Sequence, residues 1–432
     1  MAGGKGTRIA SIARDIPKPM IPVCGKPILE HQINCLVKNG ITSITIVTGH
    51  LEDHITEYFG NGSRFGCDIE YYSEKEPLGT AGALYKIKNK SSDFILLNGD
   101  LIFDIDLTRM IEFHKEKNAQ VTIAAHPNSH PYDSALVICD KNNRVTKWLN
   151  KEDERLYYKN LVNSGIHIIS SDFIDKCPQE KEKVDLDRDM LKPSIKSNYN
   201  NSNSKSKSGG IFAYSTPEYI KDIGTPDRLA QAEKDMEKGI INAKNLSVRQ
   251  KAVFLDRDGT INKNNNFVSK PEDMELIDGA AEAVKKINSL GYLAIVITNQ
   301  PVIARGEVDF DTLDTIHMKM ETELGKYGAY IDDLFYCPHH PDNGYEGERA
   351  EYKIICECRK PKPGMILEAA SKYNIDLSKS YMAGDHERDV QAGINAGCIP
   401  VFLTNNKNDI SYNVKKYPVL KDFADDICSS LN

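Results

Sequence analysis

The stretch Ala252-Val253-Phe254-Leu255-Asp256-Arg257-Asp258-Gly259-Thr260 is the most informative part of the second half of this chain. An apolar run ends there in two aspartates spaced i, i+2. On a strand, alternate side chains point the same way, so both carboxylates are expected to converge. Two like charges held that close need a cation or a proton between them. The pattern predicts a nucleophile and an acid/base group around a metal ion, as in phosphoryl transfer. The alternative is a solvated acidic turn after a buried strand.

Three later segments carry polar groups at positions where strands or loops are expected to end. In an open parallel sheet, ligands bind beyond the carboxyl ends of the strands, so these groups are expected to meet there. The groups are Thr298 and Asn299 after an apolar run, Arg359 and Lys360 ahead of a helix, and Asp385 after Tyr381-Met382-Ala383-Gly384.

This order of motifs resembles the haloacid dehalogenase-type phosphatase superfamily over residues 250 to about 405. The resemblance implies that Asp256 is the nucleophile that forms an aspartyl-phosphate. It implies that Asp258 protonates the leaving oxygen and then activates water. Thr298 and Lys360 would hold the phosphoryl oxygens, and Mg²⁺ would be bound by Asp256, Asp258 and Asp385.

Two close pairs of metal-type ligands bracket a short loop: Cys337 with His339, and Cys356 with Cys358. Three thiols and one imidazole suit tetrahedral Zn²⁺, and four protein ligands leave no open position for water, so a structural zinc is expected. With no signal peptide expected, the compartment is predicted to be reducing, which favours a metal over a disulfide. The alternative is a set of unrelated thiols near a loop.

The zinc loop, together with residues 298–300, 303–306 and 359–361, resembles the heptose 1,7-bisphosphate phosphatase branch. Histidinol phosphate phosphatases are close relatives of that branch. The resemblance implies that Arg359 lies beside the phosphate and that Asn299 and Arg305 lie near the substrate. Pro301-Val302 stands where that branch usually has Ser-Gly, so the sugar preference stays open at this point.

The front half begins with a glycine-rich stretch at residues 1–8. Gly3, Gly4 and Gly6 allow backbone N–H groups to approach a triphosphate, and Arg8 adds charge. Such a stretch alone is weak evidence. Further motifs follow it in order: Pro-Lys-Pro-Met at 17–20, Gly-Lys-Pro at 25–27, Glu-Pro-Leu-Gly-Thr-Ala-Gly at 76–82, a strand ending in Asp100, Asn-Ser-Gly-Ile at 163–166 and Asp-Ile-Gly-Thr-Pro at 222–226.

These motifs resemble the sugar-1-phosphate nucleotidyltransferases over residues 1 to about 235. In that family a sugar phosphate attacks the α-phosphate of a nucleoside triphosphate and expels pyrophosphate. The resemblance implies the following roles: Arg8 and Lys18 bind phosphates, Asp100 and Asp222 hold Mg²⁺, Gly79 and Gly82 line the cleft, and Lys151 binds the sugar phosphate. For Lys151 the alternative is a solvated lysine in a charged turn.

In that family the glycine loop follows a buried central strand, whereas here Met1 and Ala2 precede Gly3. Loss of a central strand leaves both neighbouring strands unpaired on one edge. We therefore expect a start upstream of residue 1; the alternative is a weakened domain.

The bulk properties limit the classes of partner. The 432 residues carry a net charge of −7 and no dense basic tract, which argues against nucleic-acid binding. No apolar run reaches about 18 residues, so no membrane span is expected. The chain is predicted to be cytoplasmic.

The predicted fold class is α/β, with two doubly wound, Rossmann-like domains. The predicted boundaries are 1–235 for the nucleotidyltransferase-like domain, 236–249 for a linker and 250–432 for the phosphatase domain with its zinc loop. The Ser/Asn-rich stretch 194–210 is predicted to be a mobile loop.

The two resemblances together predict a bifunctional enzyme of nucleotide-activated heptose synthesis, serving surface glycans such as lipopolysaccharide or capsule. Its predicted substrates are a sugar bisphosphate and a nucleoside triphosphate, with GTP favoured by family analogy. One alternative is a phosphatase whose front half is a non-catalytic nucleotide-binding or assembly module. Another is a related substrate such as histidinol phosphate. The oligomeric state and the anomeric preference stay open.

Overall fold

A computed structural model describes residues 15–87, 90–195, 209–264, 268–405, 412 and 414–431. The chain divides into two compact units. The first comprises Met1–His126, Val137–Leu149 and Val162–Asn245, and the second comprises Pro127–Leu136, Asn150–Leu161 and Leu246–Asn432. Two short segments of the front half therefore group with the second unit. The boundaries at 235 and 250 stay a prediction.

The first unit contains both strands and helices. Its strands are β1 (Pro22–Val23), β2 (Lys26–Pro27), β3 (Ser43–Thr48), β4 (Asp68–Ser73), β5 (Asp93–Leu97), β6 (Leu101–Asp104), β7 (Val121–His126), β8 (Leu136–Cys139), β9 (Val145–Leu149), β10 (Val162–Ser170), β11 (Ile211–Ser215) and β12 (Tyr219–Asp222). Its helices are α1 (Ile28–Lys38), α2 (Glu52–Phe59), α3 (Leu107–Glu116), α4 (Ser171–Lys176), α5 (Pro226–Glu237) and α6 (Ile240–Ala243).

The first unit contains several separate sheets among its described residues. The largest runs β11-β7-β10-β8-β9, with β5 also pairing with β10. β3 pairs with β4 in parallel, and β6 pairs with β12 antiparallel. The β5–β10 pair is antiparallel, with Ile166 opposite Leu97. Among the described residues, the β3–β4 pair is therefore a sheet separate from the one that contains β5.

The second unit is built on one parallel sheet. Its strands are β13 (Ala252–Leu255), β14 (Leu293–Asn299), β15 (Asp333–Cys337), β16 (Tyr381–Gly384), β17 (Ile399–Leu403) and β18 (Lys415–Tyr417), in the order β15-β14-β13-β16-β17-β18. Its helices are α7 (Ala280–Ser289), α8 (Phe310–Lys326), α9 (Gly364–Tyr373), α10 (Glu387–Ala396) and α11 (Leu420–Leu431). Every strand pairs in parallel with its neighbours.

The side chains of β13 divide the second unit into two apolar layers. Val253 and Leu255 join one core, which α7, α8 and α11 cover, while Ala252 and Phe254 join another, which α9 and α10 cover. Since strand side chains alternate between faces, a strand buried on both faces is apolar throughout. This arrangement confirms the predicted doubly wound class.

The segments at 127–136 and 150–161 pack against α8. The backbone N–H of Tyr158 donates to Oγ1 of Thr322 at 3.0 Å, and that of Asn160 donates to Oε2 of Glu321 at 2.7 Å. A Cβ added at Gly325 on α8 would lie 3.0 Å from Pro131. These contacts explain why the two segments belong to the second unit.

The segment predicted as a linker, 236–249, contains α6 and contributes Ile241 and Leu246 to the cores. Most of the predicted mobile loop at 194–210 lies outside the described residues. Across the described residues, no helix combines the length and the apolar character needed to cross a bilayer.

Candidate active sites

The first candidate site lies at the carboxyl edge of the parallel sheet. β13 is the central strand and is flanked by β14 and β16. Asp256 follows β13, Thr298 lies near the end of β14, and Asp385 follows β16. The backbone N–H of Asp256 donates to the carbonyl of Ala383 at 2.9 Å, which extends the ladder to this edge. The sheet therefore brings together the groups whose meeting the sequence predicted.

Lys360 lies at the centre of this site and is only 2% exposed. Its Nζ lies 2.8 Å from Oδ1 of Asp256 and 2.7 Å from Oδ1 of Asp389, and it also donates to the carbonyl of Ile297 at 2.8 Å. Burial lowers the pKa of Lys360, but the two carboxylates outweigh this and raise it overall. The lysine is a fixed positive charge beside Asp256.

Asp256 is 3% exposed and lies among other charges. Burial raises its pKa, the nearby Asp389 carboxylate raises it further, and Lys360 lowers it. A buried carboxylate that keeps its charge needs a cation close by. Lys360 supplies one such cation. The position of Asp385 indicates a binding site for a second cation.

Three carboxylates are placed to hold a metal ion. Ligand oxygens of Asp256, Asp385 and Asp389 all lie within 4.8 Å of one another. Oδ1 of Asp385 is buried and has no hydrogen-bond partner among the described residues. A Cβ at Gly259 would lie 2.0 Å from Oδ2 of Asp385, so this approach requires glycine. Oxygen ligands of this kind fit Mg²⁺.

Asp258 lies apart from this metal group, whereas Asp389, to which the sequence assigned no role, is part of it. β13 ends at Leu255, before either aspartate, so the strand alternation used in the sequence argument does not extend to Asp258. Its oxygens instead accept from Nδ2 of Asn262 at 2.9 Å and from Nε2 of Gln300 at 3.0 Å. The assignment of the Asp258 side chain to Mg²⁺ stays a prediction.

Arg257 holds the carboxylate of Asp258 from the other side. The guanidinium is fully buried, and its Nη1 donates to Nε2 of His317 at 3.1 Å. Burial lowers the pKa of His317 well below its usual value, and the arginine charge lowers it further, so the imidazole is neutral. Burial raises the pKa of Asp258, but Arg257, Asn262 and Gln300 together bring it below its ordinary value.

Thr298 and Asn299 lie at the end of β14, and their roles toward phosphate and substrate stay predictions. Thr298 is 1% exposed, and its Oγ1 accepts from Nε2 of Gln300 at 2.9 Å. Oδ1 of Asn299 accepts from the backbone N–H of Lys360 at 3.0 Å, and its Nδ2 donates to the carbonyl of Lys360 at 3.1 Å. Asn299 therefore holds the backbone that carries the lysine.

The predicted substrate arginines lie near the loop at 337–358. Nη1 of Arg359 donates to the carbonyl of His339 at 3.0 Å. The guanidinium carbon of Arg305 lies 4.4 Å from the ring centroid of Tyr345, a cation–π contact. Both arginines are tied to the same loop, although the sequence singles them out at separate positions.

The four predicted zinc ligands form one cluster. Sγ of Cys358 lies 3.2 Å from that of Cys337, 3.3 Å from that of Cys356 and 3.3 Å from Nδ1 of His339. These distances exceed a disulfide bond of about 2.05 Å. They approach the separation of about 3.8 Å between thiolates around a tetrahedral Zn²⁺ with Zn–S bonds of about 2.3 Å. The cluster can hold a metal ion, and the soft donor set fits zinc.

The second candidate site lies in the first unit, where β5 and β12 end. β12 pairs with β6 so that Asp222 is opposite Leu101, and the backbone N–H of Ile223 donates to the carbonyl of Asp100 at 2.8 Å. Nζ of Lys18 lies 2.5 Å from Oδ2 of Asp100. Asp100, Asp222 and Lys18 are therefore close in the structure, as expected for one site.

Asp222 is engaged by a cation as well. Nη1 of Arg228 lies 2.5 Å and 2.6 Å from its two oxygens. Each of the two predicted metal-binding aspartates thus carries one ion pair. Their role as Mg²⁺ ligands stays a prediction, and Arg228 is a member of this site for which the sequence gave no signal.

The glycine motif at 76–82 packs closely against the backbone at 182–184. A Cβ at Gly79, whose φ is +86°, would lie 2.5 Å from the carbonyl oxygen of Val184, and a Cβ at Gly82 would lie 3.1 Å from that of Glu182. The backbone N–H of Ala81 donates to the carbonyl of Val184 at 2.9 Å. The glycines are required by this close approach.

Lys151 lies in a segment of the second unit, and its half-exposed Nζ is 3.7 Å from Oδ1 of Asp133. Its role as a sugar-phosphate ligand stays a prediction. The predicted phosphate-binding residues Gly3, Gly4, Gly6 and Arg8 lie outside the described residues.

Comparison with known proteins finds relatives for both halves of the chain. A nucleotidyl transferase family model matches residues 1–239, and a HAD-hydrolase-like model matches 357–426. D-glycero-beta-D-manno-heptose-1,7-bisphosphate 7-phosphatase of Pasteurella multocida is 38% identical over 178 residues, which is 41% of this chain and 94% of that protein. The protein of the same name from Rhodopseudomonas palustris is 42% identical over 168 residues, 39% of this chain and 90% of its own length.

The chain belongs to two enzyme families. Its front half is a member of the nucleotidyl transferase family, and its second half is a member of the family of these phosphatases. Among solved structures, HddC from Yersinia pseudotuberculosis is similar, at 26% identity over 54% of this chain and 96% of that one, with a TM-score of 0.44. The predicted combination of a phosphatase with a nucleotidyltransferase is confirmed.

Sequence reasoning missed the residues that orient the phosphatase groups. Gln300 lies within the motif at 298–300 and Arg257 lies between two aspartates, and neither position carries a separate signal in the sequence. His317 lies on α8, where one polar residue in a helix gives no distinguishing signal. The spacing Gly384-Asp385 to Asp389 was the available clue to Asp389, because it places two carboxylates at the start of α10.

Proposed function

We propose that this chain removes the 7-phosphate of D-glycero-D-manno-heptose 1,7-bisphosphate and transfers a nucleotidyl group to the resulting heptose 1-phosphate. The observation that carries the first activity is the buried group of Asp256, Lys360 and Asp389 in a unit that covers about nine-tenths of two heptose bisphosphate phosphatases. The relatives carry the beta anomer in their names, so that anomer is the first to test.

In the proposed first step, a carboxylate oxygen of Asp256 attacks the phosphorus of the 7-phosphate. The P–O bond to the sugar breaks, and an aspartyl-phosphate forms. Lys360 and Thr298 stabilise the negative charge on the phosphoryl oxygens, since a preorganised cation and hydroxyl donor cost little reorganisation. Mg²⁺ held by Asp256, Asp385 and Asp389 would supply further positive charge to the phosphoryl group.

Asp258 is proposed to move the protons. It donates a proton to the leaving sugar oxygen, then takes a proton from the water that hydrolyses the aspartyl-phosphate. Arg257 and Gln300 hold its carboxylate in place before the substrate enters. The arriving phosphate charge raises the pKa of a neighbouring carboxyl, which favours the proton-carrying form.

The loop with the cysteine cluster is proposed to bind structural Zn²⁺ and thereby to position the substrate arginines. Arg359 is joined directly to the cluster through the carbonyl of His339. A closed four-ligand site contributes folding free energy rather than an open position for chemistry. The loop would then present Arg359 and Arg305 to the sugar and its second phosphate.

For the front half we propose that heptose 1-phosphate attacks the α-phosphate of a nucleoside triphosphate and releases pyrophosphate. Lys18, Asp100 and Asp222 support this proposal by lying together beyond β5 and β12. GTP is the nucleotide that we favour, by analogy with the branch that the front half resembles.

We place the enzyme in the cytoplasm, where its ten free cysteines stay reduced.

A ³¹P NMR time course tests both activities in one sample. The protein, Mg²⁺ and GTP are supplied with each anomer of the heptose bisphosphate, and histidinol phosphate serves as the competing substrate. We expect loss of the 7-phosphate signal, followed by a sugar-nucleotide diphosphate signal. Faster turnover of histidinol phosphate would overturn the proposed substrate. Loss of the 7-phosphate alone, with ATP, CTP and UTP also inert, would favour a non-catalytic front half.

Two variants separate the sites. Asp256→Asn should remove phosphate release, and Asp100→Ala should remove pyrophosphate release while phosphate release continues. Near-normal phosphate release by Asp256→Asn would contradict the nucleophile assignment. Asp273→Asn, an exposed carboxylate of the second unit, is the matched control.

A further inference from the structure

Helix α8 of the second unit carries two separate polar contacts on one of its faces. Its residues His317 and Glu321 are four apart in sequence, so they are neighbours along the helix surface. Nε2 of His317 accepts from Nη1 of Arg257 at 3.1 Å, and Oε2 of Glu321 accepts from the backbone N–H of Asn160 at 2.7 Å. One helix face therefore joins the arginine of the phosphatase site to the segment at 150–161.

The segment 150–161 holds α8 through backbone donors. The N–H of Tyr158 donates to Oγ1 of Thr322 at 3.0 Å, next to the bond from Asn160 to Glu321. Tyr158 and Asn160 are only 6% and 3% exposed, so water cannot replace an acceptor that is lost. A buried donor without a partner is costly. The two bonds are therefore directional constraints on the position of the helix.

The segment is itself fixed by the other short segment of the second unit, at 127–136. Nδ2 of Asn160 donates to the carbonyl of Asn128 at 2.7 Å, and the backbone N–H of Asn128 donates to Oδ1 of Asn160 at 3.1 Å. A Cβ at Gly325 on α8 would lie 3.0 Å from Pro131 and 3.4 Å from Oη of Tyr158. The two segments thus form one support along the last turns of α8.

A different face of α8 packs into the apolar core. Ile316, Met320 and Leu324 belong to the core that also contains Val253 and Leu255 of β13. Burial of apolar surface holds the helix against the sheet, but it is non-directional and constrains rotation about the helix axis only weakly. Hydrogen bonds require close alignment of donor and acceptor. The bonds from the segment therefore fix the rotation of α8, which sets the position of its polar face.

Lys159, in the same segment, adds a charge that acts on His317. Burial lowers the pKa of His317, the Arg257 guanidinium lowers it further, Asp258 opposes this, and Lys159 adds another lowering. Arginine can only donate, so Nε2 of the ring must accept and the proton of the neutral ring lies on Nδ1. The segment thus favours the form of the imidazole that can bind Arg257.

We propose that the segment 150–161 is a positioning part of the phosphatase site. Its buried backbone donors set the rotation of α8, which places His317 against Arg257, and Arg257 in turn holds Asp258. The inference rests on the proposed function, in which Asp258 carries the proton. Phosphate release by the second unit then depends on residues that the chain supplies between β9 and β10 of the first unit.

Two matched double variants of the full chain test this role. Glu321→Met/Thr322→Val removes both acceptors with little change in volume, whereas Glu321→Gln/Thr322→Ser keeps an oxygen at each position. With heptose 1,7-bisphosphate, we expect the first to lower kcat about tenfold and to change KM less than about twofold, because a proton carrier is displaced and no substrate contact is lost. The second should keep kcat within about twofold of the parent. Equal kcat in all three proteins would overturn the proposal.

A double-mutant cycle shows whether the effect passes through Arg257. In the Arg257→Met background, loss of the two acceptors should lower kcat no further, because the link to Asp258 is already broken. A further tenfold loss would contradict the proposed route, since a general loosening of the fold adds to the effect of Arg257→Met. If circular dichroism shows that the double variant does not fold, Thr322→Val with Thr322→Ser as its control takes its place.

Nuclear magnetic resonance of the His317 ring separates this inference from the proposed function. Long-range ¹⁵N–¹H spectra identify the ring by its absence in His317→Asn and should show the proton on Nδ1 in the parent. We expect its Nε2 signal to move in Glu321→Met/Thr322→Val and to stay in place in Glu321→Gln/Thr322→Ser. Failure to turn over the heptose bisphosphate would overturn the proposed function only, whereas an identical His317 signal in both double variants would overturn the role of the segment.

Discussion

Arg257 and Asp258, which are neighbours in sequence, form a bidentate ion pair at the phosphatase site. Nη2 of Arg257 lies 2.8 Å from each oxygen of Asp258, and its Nε lies 3.0 Å from Oδ1. Bidentate pairs of this kind fix a carboxylate in orientation as well as in charge. Because the guanidinium also donates to His317, the proposed acid/base group is held by a buried chain of contacts.

Arg257→Met should impair catalysis by releasing this carboxylate. We expect kcat to fall by about 10²-fold with little change in KM, because Asp258 positions a proton rather than binding substrate. Loss of one partner of a buried pair should also destabilise the second unit by about 3 kcal/mol. Steady-state kinetics and urea unfolding measure both effects.

Arg257→Lys is the conservative comparison. Lysine keeps the charge but cannot form the planar fork, so kcat should recover only in part. An unchanged kcat in Arg257→Met would show that Asp258 needs no positioning by the arginine.

Asp389, which forms an ion pair with Lys360, is expected to contribute to Mg²⁺ binding. Asp389→Asn keeps an oxygen that can accept from the backbone N–H of His386, now 3.0 Å from Oδ2, but removes the charge beside Lys360. We expect the Mg²⁺ concentration for half-maximal activity to rise by about 10- to 100-fold, with activity restored at high Mg²⁺. A Mg²⁺ titration of phosphate release gives the answer, and an unchanged Mg²⁺ requirement would remove Asp389 from the metal group.

Replacing two of the clustered thiols should remove a bound zinc ion. The double variant Cys356→Ser/Cys358→Ser is expected to lose about one zinc per chain in elemental analysis and to lower the Tm of the second unit. Cys24→Ser, an exposed thiol of the first unit, is the control and should leave both quantities unchanged. Purified protein without zinc and with an unaltered Tm would contradict the structural-zinc proposal.

The sequence predicts the edge of the sheet at which the proposed catalytic groups lie but not the orientation of each group. Apolar runs ending in Asp256, Thr298 and Asp385 are local patterns, and parallel pairing brings their ends together. The orientation of the Asp258 side chain could not be predicted in this way, because β13 ends at Leu255. The residue at which a strand ends depends on tertiary contacts. The partner of Arg257 on α8 is 60 residues away, a distance at which no local pattern operates.

The division of the chain into two units shows a similar limit. The segments at 127–136 and 150–161, which join the second unit, carry no composition that distinguishes them from other loops.

The last prediction concerns Glu321, a buried carboxyl on α8. Burial raises its pKa to about 7, although Lys159 and the backbone N–H of Asn160 partly oppose this. The folded state therefore holds a proton that the unfolded chain releases near pH 4.5. The contribution of Glu321 to the free energy of unfolding is therefore greatest below about pH 4.5. It falls by up to about 3 kcal/mol as the pH rises to about 7.

Glu321→Gln should flatten this dependence, because the amide cannot ionise and its oxygen can still accept from Asn160. The variant should match the parent near pH 4.5 and exceed it in the free energy of unfolding at pH 8. Urea unfolding at several pH values, followed by circular dichroism and by exchange in α8, measures this, with the exposed Glu272→Gln as control. Equal pH slopes for parent and variant would mean that Glu321 is already ionised in the folded unit, held by the charge of Lys159.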